Sequence, residues 1–147
     1  MKLPYKKLDP RAIPPYYATP LAAGADLYAL LAEQEASVSI APGETVLIHT
    51  GIAVAIPEGY VGLICARSGL AVKQGLAPAN KVGVIDADYR GELMVALHNH
   101  SDRPRTVVSG DRIAQLLIMP VVTAELTETD DLSATLRAEG GFGSTGR

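Results

Sequence analysis

The apolar residues of this chain come in short runs, and turn residues end each run before it is long enough to make a helix. The clearest runs are "TVLIH" (45–49), "IAVAI" (52–56), "YVGLICA" (60–66), "ELMVALH" (92–98) and "RIAQLLIMPVV" (112–122). Between them lie "APGE" (41–44), "PEG" (57–59), "DADYRG" (86–91) and "SDRP" (101–104). Val, Ile and Leu dominate the runs, and this pattern predicts an all-β domain of many short strands. One interior stretch departs from it. "RSGLAVKQG" (67–75) offers Ser68 as an N-cap, Lys73 in the last turn and Gly75 as a left-handed stop, so one short helix is expected there. The turn at 86–91 reads as a hairpin centred near Tyr89, which would set Val84 opposite Met94. From Asp130 the β pattern fades, leaving room for one helical turn and then a glycine-rich tail expected to be flexible.

The chain has 147 residues, enough for a single domain that folds without cross-links. Its one cysteine, Cys65, can form no internal bridge. The N-terminus has no signal-peptide core, and no apolar run approaches the ~18 residues of a membrane span. The expectation is a cytoplasmic protein with no membrane partner. The formal net charge is −3 and the pI near 5.5, with Lys and Arg scattered. That argues against a nucleic-acid partner. Any phosphate must be met by a few placed arginines or a metal ion rather than by a general positive field.

Four polar stretches interrupt the apolar runs, and each has an ordinary structural reading. Asp26 in "AGADLYA" (23–29) is either a turn aspartate or a functional carboxylate. Arg67 and Ser68 in "ARSGLA" (66–71) mark either a capped helix or an anion site at its start. Asn80, Asp86, Asp88, Tyr89 and Arg90 in "NKVGVIDADYRGE" (80–92) either decorate a turn or line a site. Gln115 in "GDRIAQLLI" (110–118) breaks an apolar run, and a buried amide needs partners. His49, His98 and His100 lack a metal-binding spacing, and His98 and His100 on one strand simply share a face. The chain's only Phe, Phe142, lies in "GGFGSTGR" (140–147), the segment least able to form a core. The G-x-G-x-x-G spelling there does not open a helix after a strand, so the dinucleotide-binding reading fails.

The order of these stretches is more specific than any one of them. "AGADLYA", "ARSGLA", "GVIDADYRGE", "GDRIAQLLI" and "RAEGGFGSTG" follow one another as do the five motifs of the dUTPases, the deoxyuridine triphosphate nucleotidohydrolases. The resemblance runs from about residue 23 to the C-terminus. It departs at Ala138, where the family usually has Gly.

The resemblance implies a distorted jelly roll, with residues 1–136 as the β domain and 137–147 as a lid over a neighbouring subunit's site in a homotrimer. It implies hydrolysis of dUTP to dUMP and pyrophosphate by water attack on the α-phosphorus, which limits uracil in DNA and supplies dUMP for dTMP synthesis. Asp86 resembles the general base, since a carboxylate is ionised at neutral pH and can take a proton from water. Asn80 and the backbone near Val84, Ile85 and Met94 would read the uracil edge. Tyr89 would pack under the deoxyribose and exclude a 2′-hydroxyl. Arg67, Ser68, Gly69 and Gln115 would hold phosphates. Arg137, Phe142, Gly143, Ser144 and Thr145 would close over the nucleotide, with Phe142 stacked on the base. Mg²⁺ would arrive on the triphosphate with its waters, and Asp26 would act on it through water or by orienting Arg137, not as a direct ligand. The alternatives are a dCTP deaminase-like enzyme, whose catalytic Glu would fall at Ala96, and a jelly-roll regulatory module without catalysis.

Overall fold

A computed structural model describes residues 1–135 and 138–140. The apolar runs become strands: β1 (Tyr5–Lys7), β2 (Ala25–Tyr28), β3 (Val38–Ile40), β4 (Thr45–His49), β5 (Ile52–Val54), β6 (Tyr60–Cys65), β7 (Leu76–Pro78), β8 (Val82–Ile85), β9 (Met94–Asn99), β10 (Arg105–Val107) and β11 (Arg112–Pro120). One helix, α1 (Ser68–Gln74), interrupts them. Two larger antiparallel sheets, ordered β2-β11-β6-β8 and β4-β9-β7, form the body, with the pairs β1-β5 and β10-β3 beside them. This is the expected all-β jelly roll with one short helix.

The period-two pattern explains the layering. Along β9 burial alternates strictly, with Val95, Leu97 and Asn99 inward. Those side chains meet Ile48 from β4 and Leu76 from β7, while Leu27, Ile64, Ala114 and Leu116 come from the other sheet. Burying each large aliphatic side chain contributes about 1.5–3 kcal/mol. Asn99 is a polar residue buried in this core. Its amide donates to Ile40 O and Arg103 O, and its Oδ1 accepts from the Ser101 backbone and hydroxyl, so nothing is left unpaired.

Three expectations need correction. Ser68 is not the N-cap. Arg67 holds that position in an extended conformation with no side-chain cap bond, and Ser68 is the first helical residue. Gly75 does end the helix, at φ 70°. The stretch 86–91 is not a hairpin turn. β8 pairs with β6, so Val84 lies opposite Leu63, while Met94 on β9 lies opposite His49. The segment is an arch that carries the chain from one sheet to the other. The pairing estimate failed because it assumed that neighbours in sequence are neighbours in a sheet. No helical turn forms over 130–135.

Candidate active site

The arch creates a cleft. Because β8 and β9 belong to different sheets, they splay apart and leave a hollow of about 340 Å³. Leu47, Ile64, Pro78, Val95 and Ala96 make it apolar, and Asn80, Gly83, Val84, Ile85, Asp86, Tyr89, Glu92 and Met94 line it as well. β8 is the edge strand of its sheet, so its backbone on the side away from β6 presents N–H and C=O groups with no ladder partner. On β9, Met94 pairs with β4, whereas β7 pairs only with Leu97, His98 and Asn99. The main chain at Met94 is therefore open toward the cleft on its β7 side. An apolar slot with free backbone edges suits a flat, polar-edged ring.

Two side chains at this slot are free for a ligand. The Asn80 amide and the Asp86 carboxylate make no hydrogen bond among the described residues, and both are exposed. Asn80 is set by a tight turn in which Lys81 takes φ 66° and donates its N–H to Pro78 O. Gly83 leaves space beside it, since a Cβ there would come within 3.2 Å of Ile64 and 3.4 Å of the Asn80 nitrogen. Tyr89 is fixed by its hydroxyl, which donates to Glu92 O at 2.9 Å. Ala96, where a deaminase-like chain needs a glutamate, lies in the same wall.

A second polar cluster is built on β2, β6 and β11, and Arg67, Ser68, Gly69 and Gln115 take no part in lining the first cleft. Asp26 is buried at 7% exposure and lies opposite Gln115 in the ladder. Its two oxygens accept from Arg67 Nε at 2.7 Å and from an Arg112 terminal nitrogen at 3.2 Å. A register shift in β11 between Arg112 and Ala114 bends the strand beside Arg112. Gln115 donates to Ala66 O at 2.9 Å and packs over Gly24, where a Cβ would approach its Oε1 to 2.7 Å. These bonds hold the Arg67 guanidinium at the start of α1 beside the exposed Ser68 and Gly69. Arg112 was missed from the sequence, although it stands within the quoted "GDRIAQLLI".

Glu92 was also missed. Burial would raise its carboxyl, but hydrogen bonds from His49 and the Gly51 N–H, the charge on His49 and the Thr50 N–H outweigh this and hold it below the usual glutamate value. A carboxyl lowered by folding contributes stability that is present above its unfolded pKa and lost as the pH falls through its folded pKa. Acidification below about pH 4.3 is therefore expected to destabilise the native chain more than Glu92→Gln. Urea midpoints at pH 6 and at about pH 3.5 measure this. Asp9, held low by hydrogen bonds from Arg11, contributes alike to both proteins.

Among the described residues no three His, Cys, Asp or Glu side chains gather as a metal site. Nor is any described helix long and apolar enough to cross a membrane. Arg137, Phe142, Gly143, Ser144 and Thr145 lie outside the described residues. Ala138 takes φ 44°, a left-handed value that glycine adopts more readily, and donates its N–H to Thr135 O.

An apolar slot with a free carboxylate at one place, and guanidinium groups at another, are parts that a hydrolase of phosphorylated nucleotides requires. Comparison with known proteins narrows that class. The family model described as dUTPase matches residues 11–146. A deoxyuridine 5'-triphosphate nucleotidohydrolase of Hydrogenobaculum sp. is 49% identical over 99% of both chains. The enzyme of the same name from Desulfitobacterium hafniense is 51% identical over 99% of this chain and 95% of its own. The solved dUTPase of Staphylococcus bacteriophage 80alpha with dUPNHPP superposes at a TM-score of 0.90, with 32% identity over 99% of each chain. The chain belongs to the dUTPase family. The deaminase-like and non-catalytic alternatives find no support among these relatives.

Proposed function

We propose that the chain converts dUTP and water to dUMP and pyrophosphate, with Asp86 as general base and the uracil in the cleft between β8 and β9. The observation that carries this reading is the free Asp86 carboxylate at the mouth of an apolar slot edged by unpaired backbone. Uracil offers two carbonyl acceptors flanking one N–H donor. The β8 edge, the main chain at Met94 and the Asn80 amide supply the complementary set. Cytosine presents a different donor and acceptor order and leaves buried groups unpaired, which is the strongest form of rejection. A thymine methyl would meet the packed walls. Asp86 takes a proton from the water that attacks the α-phosphorus, and the bond to the pyrophosphate oxygen breaks.

Arg67, Ser68, Gly69 and Gln115 receive the phosphates. Within one chain they do not border the Asp86 cleft, which supports a homotrimer whose sites form between subunits. Residues 137–147 form a lid in this reading. Phe142 covers the base, the backbone at Gly143 approaches the phosphates, and Arg137, Ser144 and Thr145 contact them. Both Asp26 oxygens already serve arginines, so a divalent ion, Mg²⁺ in this proposal, is carried by triphosphate oxygens and waters. When bound, it offsets phosphate charge. Asp26 holds Arg67 and Arg112 toward that charge.

Pyrophosphate release assayed with dUTP and dCTP tests the reading, with turnover expected on dUTP alone. A second prediction concerns the sugar. Tyr89→Ala is expected to raise kcat/KM for UTP relative to dUTP while leaving uracil preferred over cytosine. An unchanged dUTP to UTP ratio would reduce Tyr89 to a packing residue of the arch.

A further inference from the structure

Glu92 has no role in the chemistry just described, yet it ties the arch to the most constrained turn nearby. Its Oε1 accepts from the backbone N–H groups of Thr50 at 3.1 Å and Gly51 at 2.7 Å. Its Oε2 lies 2.8 Å from His49 Nδ1. One carboxylate thus grips three successive residues, the last of β4 and the two that lead into β5. That turn has little freedom. Gly51 sits at φ 67°, and a Cβ on it would come within 2.6 Å of Leu30 and 2.7 Å of Ala12. Thr50 is 1% exposed, and its hydroxyl donates to Leu93 O at 2.6 Å, fixing the residue after Glu92 as well.

The other side of Glu92 faces Tyr89. The Tyr89 hydroxyl bonds the Glu92 carbonyl, and its ring folds back across Gly91. A Cβ on Gly91 would fall 2.3 Å from the hydroxyl oxygen and 2.5 Å from Cζ. The ring can lie there only because residue 91 has no side chain and residue 92 is held still. We infer that Glu92 is a positioning residue for sugar selection, setting the Tyr89 ring by anchoring the arch to the β4–β5 turn, with Gly91 providing the space. This rests on the reading that Tyr89 packs against the deoxyribose.

Discrimination against a 2′-hydroxyl depends on a ring placed to a fraction of an ångström, and small misplacements cost up to ~10²-fold. Glu92→Ala, Glu92→Gln and Gly91→Ala separate this role from simple support of the fold. The readouts are kcat/KM for dUTP and UTP, the Kd ratio of dUMP and UMP by calorimetry, and the melting temperature. Glu92→Ala is expected to lower the dUTP to UTP preference about 10-fold or more when assayed well below its melting temperature. Glu92→Gln should restore most of it, because the amide oxygen can accept from the same two N–H groups. Gly91→Ala should cause a similar loss while leaving every bond of the carboxylate in place, which tests the space for the ring; if Glu92→Ala does not fold, Glu92→Asp, one methylene shorter and so unable to keep all three contacts, decides the matter by the same loss of preference. A lower melting temperature with wild-type discrimination in both alanine variants would overturn the inference. If the wild-type chain failed to hydrolyse dUTP, the functional reading would fall, and the dUMP to UMP binding ratio would still judge Glu92.

Discussion

Asp86→Asn is expected to remove nearly all hydrolysis of dUTP while dUTP still binds. The substitution keeps the size and shape of the side chain but takes away the group proposed to accept the proton from water. Loss of a general base costs ~10²–10⁴-fold in rate. Binding should survive because the slot is made by other parts, namely the β8 edge, Asn80 and the main chain at Met94. Stability should be close to that of the wild type, since the carboxylate makes no hydrogen bond among the described residues that the amide would break. Steady-state kinetics and calorimetric titration with dUTP check the two halves separately. Near-normal kcat would place the base elsewhere.

Removing residues 141–147 is expected to cost at least ~10²-fold in kcat/KM, since stacking on one base alone is worth ~1–3 kcal/mol and the proposed phosphate contacts would be lost with it. The fold should remain, because among the described residues the last strand, β11, ends at Pro120 and the buried cluster is built from residues 12 to 116. Melting curves should therefore nearly coincide with those of the full chain. Phe142→Ala should reproduce part of the kinetic loss with no change in melting. A truncated chain with full activity would leave the tail without a role in closure. A truncated chain that failed to fold would make the segment structural.

The fold class was legible in the sequence because the strongest signal was local. The runs 45–49 and 60–66 are β-prone and bounded by turns, and these two appear as strands with at most one residue trimmed. Of the three-residue strands, β5 lies in the run 52–56, but β1, β3, β7 and β10 were not legible. Each is defined by a distant partner, as when Arg105–Val107 pairs with Val38–Ile40, and three residues carry no period of their own. The 86–91 arch misled for a related reason. Its turn residues suit a hairpin, and only long-range pairing of β8 with β6 and β9 with β4 shows that it joins two sheets.

The site was legible as an ordered set of stretches, but its construction was not. Asp86, Asn80 and Tyr89 do converge on one cleft, whereas Arg67 and Gln115 stand apart from it with Asp26. Arg112 went unnoticed because an arginine at a strand start looks like ordinary surface charge. Only the strand bend and the buried Asp26 give it a task. Glu92 looked like the polar start of a strand. Its importance comes from Thr50 and Gly51, some forty positions earlier in the chain.

That separation of Asp86 from Arg67 leads to the most direct test of the whole account. Asp86→Asn and Arg67→Ala are each expected to be nearly inactive, and each should fold, since Arg112 still pairs with Asp26 when Arg67 is gone. The two variants are mixed, allowed to exchange subunits, and assayed for pyrophosphate release from dUTP. If one subunit supplies the base and uracil slot while its neighbour supplies the phosphate cluster, mixed assemblies contain sites with both parts intact. Activity well above that of either variant alone is the predicted result. No gain, with subunit exchange demonstrated by mass spectrometry of labelled chains, would contradict the account by showing that Asp86 and Arg67 serve a site within one chain.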